Sequence, residues 1–89
     1  MIAKKYILKF PNGLHARPCS MIMGRLRGLN LESTYLLWRG SRADMRSIIE
    51  TLQLGMPYLE EFSVEISGPD EKKAIEFLDS FFNLEIPYE

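Results

Sequence analysis

The chain of 89 residues has one cysteine, one histidine and one tryptophan. A single cysteine excludes an internal disulfide and predicts a reducing, cytoplasmic setting. Cysteine, histidine and carboxylates do not cluster with metal-ligand spacing, so no structural zinc or other metal is expected. No apolar run approaches the ~20 residues needed to span a bilayer. Met1-Ile2-Ala3-Lys4-Lys5 lacks the long apolar core of a signal peptide, so membrane insertion is not expected. Charge of either sign is not in excess: 11 basic and 12 acidic residues leave a formal net charge of −1. That balance provides no global basic field for nucleic acid. Internal repeats, low-complexity tracts and linkers are also missing. What is there is ordinary globular composition, 46% hydrophobic and 26% charged, which excludes a disordered chain. The length fits one small domain, taken as residues 1–84 with a short tail at 85–89.

Periodicity divides the chain into seven elements. Tyr6, Leu8 and Phe10 alternate with Lys5, Ile7 and Lys9, which predicts a strand with one buried face. Pro11-Asn12-Gly13 is turn chemistry. From Pro18 the spacing becomes helical, with Cys19, Ile22, Met23 and Leu26 forming one apolar stripe and Gly28 as the stop. Leu31 to Trp38 reads as a strand with apolar groups on both faces. Arg39-Gly40-Ser41 turns the chain into a short return strand around Arg42 to Met45. Ser47 to Leu54 is a short helix ended by Gly55. Phe62, Val64 and Ile66 alternate with polar neighbours in a half-buried strand. Pro69 suits the first position of a last helix, whose apolar face is Ala74, Phe77, Leu78 and Phe81, widened by Ile75 and Phe82. The order β-α-β-β-α-β-α is buried most simply as an α+β open-faced sandwich. A four-stranded, mainly antiparallel sheet is covered on one face by three helices.

The lone histidine stands where chemistry is plausible. His15 follows a strand and a turn and precedes a helix. A neutral imidazole nitrogen is a good nucleophile near neutral pH and can accept and release a phosphoryl group. A helix N-terminus offers unpaired backbone N–H groups to the resulting anion, here from Ala16 and Arg17. The Arg17 guanidinium adds a planar, charged fork suited to phosphate oxygens. Pro18 is tolerated in a first turn because its missing donor breaks no helical bond. The same placement also suits a histidine that merely caps the helix or sits on the surface, and Arg17 an ordinary solvated charge.

Leu14-His15-Ala16-Arg17-Pro18 resembles the active-site segment of the HPr family, the histidine phosphocarriers of the bacterial sugar phosphotransferase system. Ser47-Ile48-Ile49 at the start of the second helix, followed by Leu54-Gly55, is similar to that family's second signature. Val64-Glu65-Ile66-Ser67-Gly68 and the acidic start of the last helix fit it as well. The similarity runs to about Phe82. It implies that His15 is phosphorylated on Nδ1 by enzyme I, with phosphoenolpyruvate as the ultimate donor, and passes the group to an enzyme IIA domain. Arg17 would be its electrostatic partner. Such a chain is a stoichiometric carrier rather than a catalyst, needs no cofactor and is expected to be monomeric. The resemblance also makes Ser47 the counterpart of the serine modified by an ATP-dependent HPr kinase/phosphorylase, and Ile48, Ile49 and Leu52 part of an apolar docking patch. Ser47 could equally be only a helix cap. The three apolar residues could be core, although helical geometry cannot bury all of them equally. Arg25 and Arg27 suit either charge steering or a solvated face.

Some positions depart from the family pattern. Cys19 stands where alanine is usual and is expected to pack as a small apolar residue. Glu50 places a negative charge beside Ile49, where a small residue is typical. One extra residue is expected between the first helix and Ser47, with the Arg39-to-Asp44 turn as its favoured place, Met56-Pro57-Tyr58-Leu59 replaces a small, glycine-containing loop, and Tyr88 in the tail is a possible extra contact. Two other readings stay open: a regulatory binding module of the same fold that signals through Ser47, and a generic α+β interaction domain.

Overall fold

In the computed structural model, which describes residues 1–84, the chain runs β1 (Ile2–Ile7), α1 (Ala16–Arg27), β2 (Ser33–Trp38), β3 (Ser41–Asp44), α2 (Ile48–Gln53), β4 (Glu61–Ser67) and α3 (Glu71–Phe82). The expected tail, with Tyr88, lies outside the described residues. The strands form one antiparallel sheet in the order β1-β4-β2-β3. β4 lies between β1 and β2, and its alternation is the cleanest in the chain. Phe62, Val64 and Ile66 are buried, while Glu61, Ser63, Glu65 and Ser67 face the other way. The register sets Tyr6 opposite Phe62, and Val64 between Lys4 and Leu36. Leu36 in turn faces Ala43. One face of the sheet is thereby apolar, and the helices cover it, as the residue pattern predicts.

Aromatic rings fill the space between β1, β4 and α3. Phe82 lies 4.9 Å from Phe62 and 5.1 Å from Tyr6, and Phe10 meets Phe81 edge-on at 5.3 Å. Such offset and edge-on pairs add to the hydrophobic stabilisation of the buried surface. A polar link runs over this cluster: Tyr6 Oη donates to Asp79 Oδ1 at 2.6 Å, and Lys4 Nζ reaches the same carboxylate at 2.9 Å. Burial pushes the Asp79 carboxyl up, but the hydrogen bonds from Tyr6 and Lys4 and the Lys4 charge outweigh it, so the group sits below its ordinary range.

Boundaries differ from the sequence expectation where hydrogen bonds rather than periodicity decide. β1 ends at Ile7, yet Leu8 and Phe10 remain fully buried. Leu8 continues the pairing by bonding the backbone of Leu59 and Glu60. α1 begins at Ala16, before Pro18, because Cys19 N–H already donates to the His15 carbonyl. Pro69 is not the first residue of α3; Asp70 is the N-cap and Glu71 opens the helix. Two contacts hold that corner. Asn30 N–H donates to Asp70 Oδ2 at 2.7 Å, and a Cβ on Gly68 (φ +137°) would come within 2.7 Å of the Leu31 Cα.

The β2–β3 hairpin has an unbroken register down to Trp38 opposite Ser41, with Arg39 and Gly40 both at positive φ. That is the tightest hairpin loop, so it holds no extra residue. Arg39 tolerates the left-handed conformation while its guanidinium lies 5.1 Å over the Trp38 ring and 2.9 Å from Glu60. Among the described residues, no helix is long and apolar enough to cross a membrane.

Candidate functional site: the N-terminus of the first helix

His15 is the N-cap residue of α1, with an extended backbone (φ −103°, ψ −174°). Its carbonyl accepts the first helical bond from Cys19, and its side chain makes no capping hydrogen bond. The plain capping role is therefore not how the imidazole is used. The residue is half-buried, and Nε2 is shielded from solvent. Ala16 and Arg17, the first two residues of α1, are exposed. Their N–H groups belong to the first turn, which has no helical acceptors. No acidic residue occupies that turn, and nothing there opposes an incoming anion. Pro18 is buried in the same turn, where it removes no helical bond.

The turn before His15 is shaped by a distant loop. Gly13 has φ +72°, and a Cβ there would lie 2.7 Å from the Met56 carbonyl oxygen and 3.2 Å from the Pro57 Cα. Leu14 N–H donates to that same carbonyl at 2.9 Å. Glycine is required both by its dihedral and by this close approach.

Helix α2 packs against α1. Cys19 of α1 and Thr51 of α2 are each 1% exposed. Burial pushes the Cys19 thiol up, with the Thr51 bond opposing only in part. An inaccessible, protonated thiol is a packing residue, not a redox group. Thr51 Oγ1 also donates to the carbonyls of Ser47 and Ile48.

Ser47 is the N-cap of α2, and its Oγ accepts from Glu50 N–H at 3.2 Å. Sequence reasoning treated Glu50 as an intruding charge and missed its local role. Ser47-Ile48-Ile49-Glu50 has the S-x-x-E spacing of a capping box. Here the glutamate does not return to the cap's own amide: Glu50 Oε1 accepts from Asp44 N–H at 3.1 Å, while Ser47 N–H donates to the Asp44 carbonyl. Glu50 thus ties the end of β3 to the start of α2. Asp44 is itself held. Burial raises its carboxyl, but bonds from Thr34 and Arg46 and the Arg46 charge bring it below the usual range.

The apolar residues of α2 separate by face. Ile48 is half-buried against the core, Ile49 is 69% exposed and Leu52 is 38% exposed. The next loop adds Tyr58 and Leu59, 49% and 59% exposed. Arg25 and Arg27 stand in the last turn of α1, about 15 Å along the axis from His15 at ~1.5 Å per residue. Arg25 lies over the Phe77 ring and Arg27 bonds the Arg46 carbonyl, so both are tied into the fold. Arg17 is exposed and makes no ion pair with another described residue. No group of three histidine, cysteine or carboxylate side chains among the described residues could hold a metal ion.

Comparison with known proteins gives this geometry a family. The family model described as the PTS HPr component phosphorylation site matches residues 2–83. The phosphocarrier protein HPr of Chlamydia muridarum is 31% identical over 78 residues, which is 88% of this chain and 74% of that one. The multiphosphoryl transfer protein 1 of Escherichia coli is 28% identical over 85 residues, 94% of this chain and 10% of that much longer protein. The crystal structure of a phosphocarrier protein HPr from Bacillus anthracis superposes with a TM-score of 0.83 at 20% identity, covering 91% of this chain and 95% of that one. With its whole described fold matched and His15 at the mouth of α1, this chain belongs to the HPr family of phosphotransferase-system phosphocarriers.

Proposed function

We propose that His15 accepts a phosphoryl group on Nδ1 from phosphoenolpyruvate-charged enzyme I and hands it to enzyme IIA domains. The observation that carries this reading is the setting of the imidazole at the α1 N-terminus. Nε2 is shielded from solvent, which supports the other ring nitrogen as the acceptor. The lone pair of neutral Nδ1 forms the new N–P bond as the phosphorus–nitrogen bond to the donor breaks, and the reverse exchange delivers the group onward. The amides of Ala16 and Arg17 and the Arg17 guanidinium stabilise the anion without enclosing it. The exposure of Ala16 and Arg17 suits a carrier that must release what it accepts. The experiment is incubation with enzyme I of the same organism and labelled phosphoenolpyruvate. The expected product is an acid-labile, base-stable label that His15→Ala abolishes. A wild-type chain left unlabelled refutes the reading.

A second modification, at Ser47 by an HPr kinase/phosphorylase, is supported by the partial exposure of this residue at a helix N-cap. Glu50 works against it, because the new phosphate would stand three residues from a carboxylate and displace the Glu50 amide from Oγ. An ATP-dependent, acid-stable label lost in Ser47→Ala would establish it. If that label appears and cellular function is insensitive to His15→Ala, the chain is a regulatory module rather than a carrier.

A further inference from the structure

β1 is an edge of the sheet, bonded to β4 on one side only. Leu8 N–H donates inward to the Glu60 carbonyl at 2.9 Å. Antiparallel pairing alternates, so the backbone groups of Lys5 and Ile7 point outward, away from β4. A groove runs along this edge. Its lining takes Lys4 from the helix-covered face of β1 and Lys5 and Ile7 from the other, and it reaches Lys9, Asp79 and Asn83. Ile7 is 46% exposed there. An open edge of this kind is a template for another strand. Its lysines oppose a second copy of β1, which would bring like charges together.

The chain itself supplies a segment of the opposite charge. α3 runs beside β1 in the same direction: the Met1 amino group meets Glu71 at 3.2 Å, Lys4 meets Asp79 at 2.9 Å, and Lys9 Nζ donates to Asn83 Oδ1 at 3.4 Å. α3 therefore ends level with Lys9, at the mouth of the groove. Leu84, at φ +61°, donates its N–H to the Phe81 carbonyl and turns the chain out of the helix. The next residues in the sequence are Glu85-Ile86-Pro87-Tyr88-Glu89. Five extended residues span roughly 16 Å, at about 3.3 Å each, enough to pass Ile7 and Lys5. We infer that residues 85–89 occupy the groove as a further strand, antiparallel to β1. One register suits every residue type. Ile86 stands opposite Ile7 and covers it, and Tyr88 stands opposite Lys5. Glu85 then falls beside Lys9 and Glu89 opposite Lys4, so acid meets base at both ends. Pro87 falls between the bonded pairs, where its missing N–H faces away from β1 and costs no ladder bond. The added strand closes the edge to other chains, and it does so whatever the chemistry at His15.

The test is amide hydrogen exchange followed by NMR on the full chain, as wild type and as Ile86→Pro. The variant removes the N–H of residue 86 and leaves the sequence of residues 1–84 untouched. In the wild type the Lys5 and Ile7 amides are protected, and a nuclear Overhauser contact joins the side chains of Ile86 and Ile7. In Ile86→Pro those two amides exchange about tenfold faster or more, while the Tyr6 amide, on the β4 side of β1, keeps its protection. Lys5 and Ile7 amides that exchange at unprotected rates in the wild type overturn the proposal. Protection that survives Ile86→Pro overturns it as well, and if that protection grows with protein concentration the occupant is a second copy of the chain.

Discussion

A side chain on Gly13 would collide with the carbonyl oxygen of Met56 at 2.7 Å. Together with the bond from Leu14 N–H to the same oxygen, this close approach holds the turn carrying His15 against the loop that follows α2. Gly13→Ala is expected to lose about 2 kcal/mol or more, from left-handed strain plus the backbone clash. Urea unfolding checks it: the midpoint falls while the slope stays near wild type.

Arg17 is exposed and makes no ion pair with another described residue, so its removal is expected to leave folding alone and, under the proposed carrier role, to act on the phosphoryl anion. Arg17→Ala is expected to slow phosphoryl transfer by about ten- to a hundredfold, the worth of one charged hydrogen bond of about 1.5–3 kcal/mol. Arg17→Lys recovers part of the rate, since the charge remains but the fork does not. Rapid-quench kinetics together with unchanged circular dichroism would establish both points.

Ser47 caps a helix of only six residues, too short to persist without its ends being held. Ser47→Ala is expected to cost about 1 kcal/mol, and Ser47→Asn, another good cap, to restore most of it. Hydrogen exchange at Glu50 and Thr51, whose amides bond Ser47, reports the loss locally.

Acid should loosen the β1–α3 contact. The folded-state Asp79 carboxyl lies below its ordinary value. Its contribution is therefore present above the unfolded value, near pH 4, and is lost as pH falls through the folded one. Asp44 acts in the same direction. Asp79→Asn is expected to be less stable than wild type at neutral pH and to converge with it in acid. Denaturation midpoints across that range measure the convergence. Equal pH dependence in both proteins would show that the Tyr6–Asp79–Lys4 link carries none of it.

Much of this molecule was legible before any coordinates. Phe62, Val64 and Ile66 announced β4, and Cys19, Ile22 and Leu26 announced the buried stripe of α1, because side-chain direction follows backbone period. His15 was conspicuous as the lone histidine between turn and helix. Element ends were less legible: Pro18 looked like a beginning and is the third residue of α1, since a missing amide is harmless anywhere in a first turn. The bond of Glu50 to the Asp44 amide was not legible, although the S-x-x-E spacing was in view, because it depends on where β3 ends.

The sequence by itself determined which segments are helix or strand, the apolar face of each and the residue types offered to a phosphoryl group. These depend on neighbours within a few positions. Only the tertiary structure decided that β4 lies between β1 and β2, that Met56 shapes the His15 turn and that the solvent-shielded ring nitrogen is Nε2. Each of those is a contact between residues far apart along the chain. Local periodicity carries no record of such contacts; they arise when the amphipathic elements bury their faces against one another.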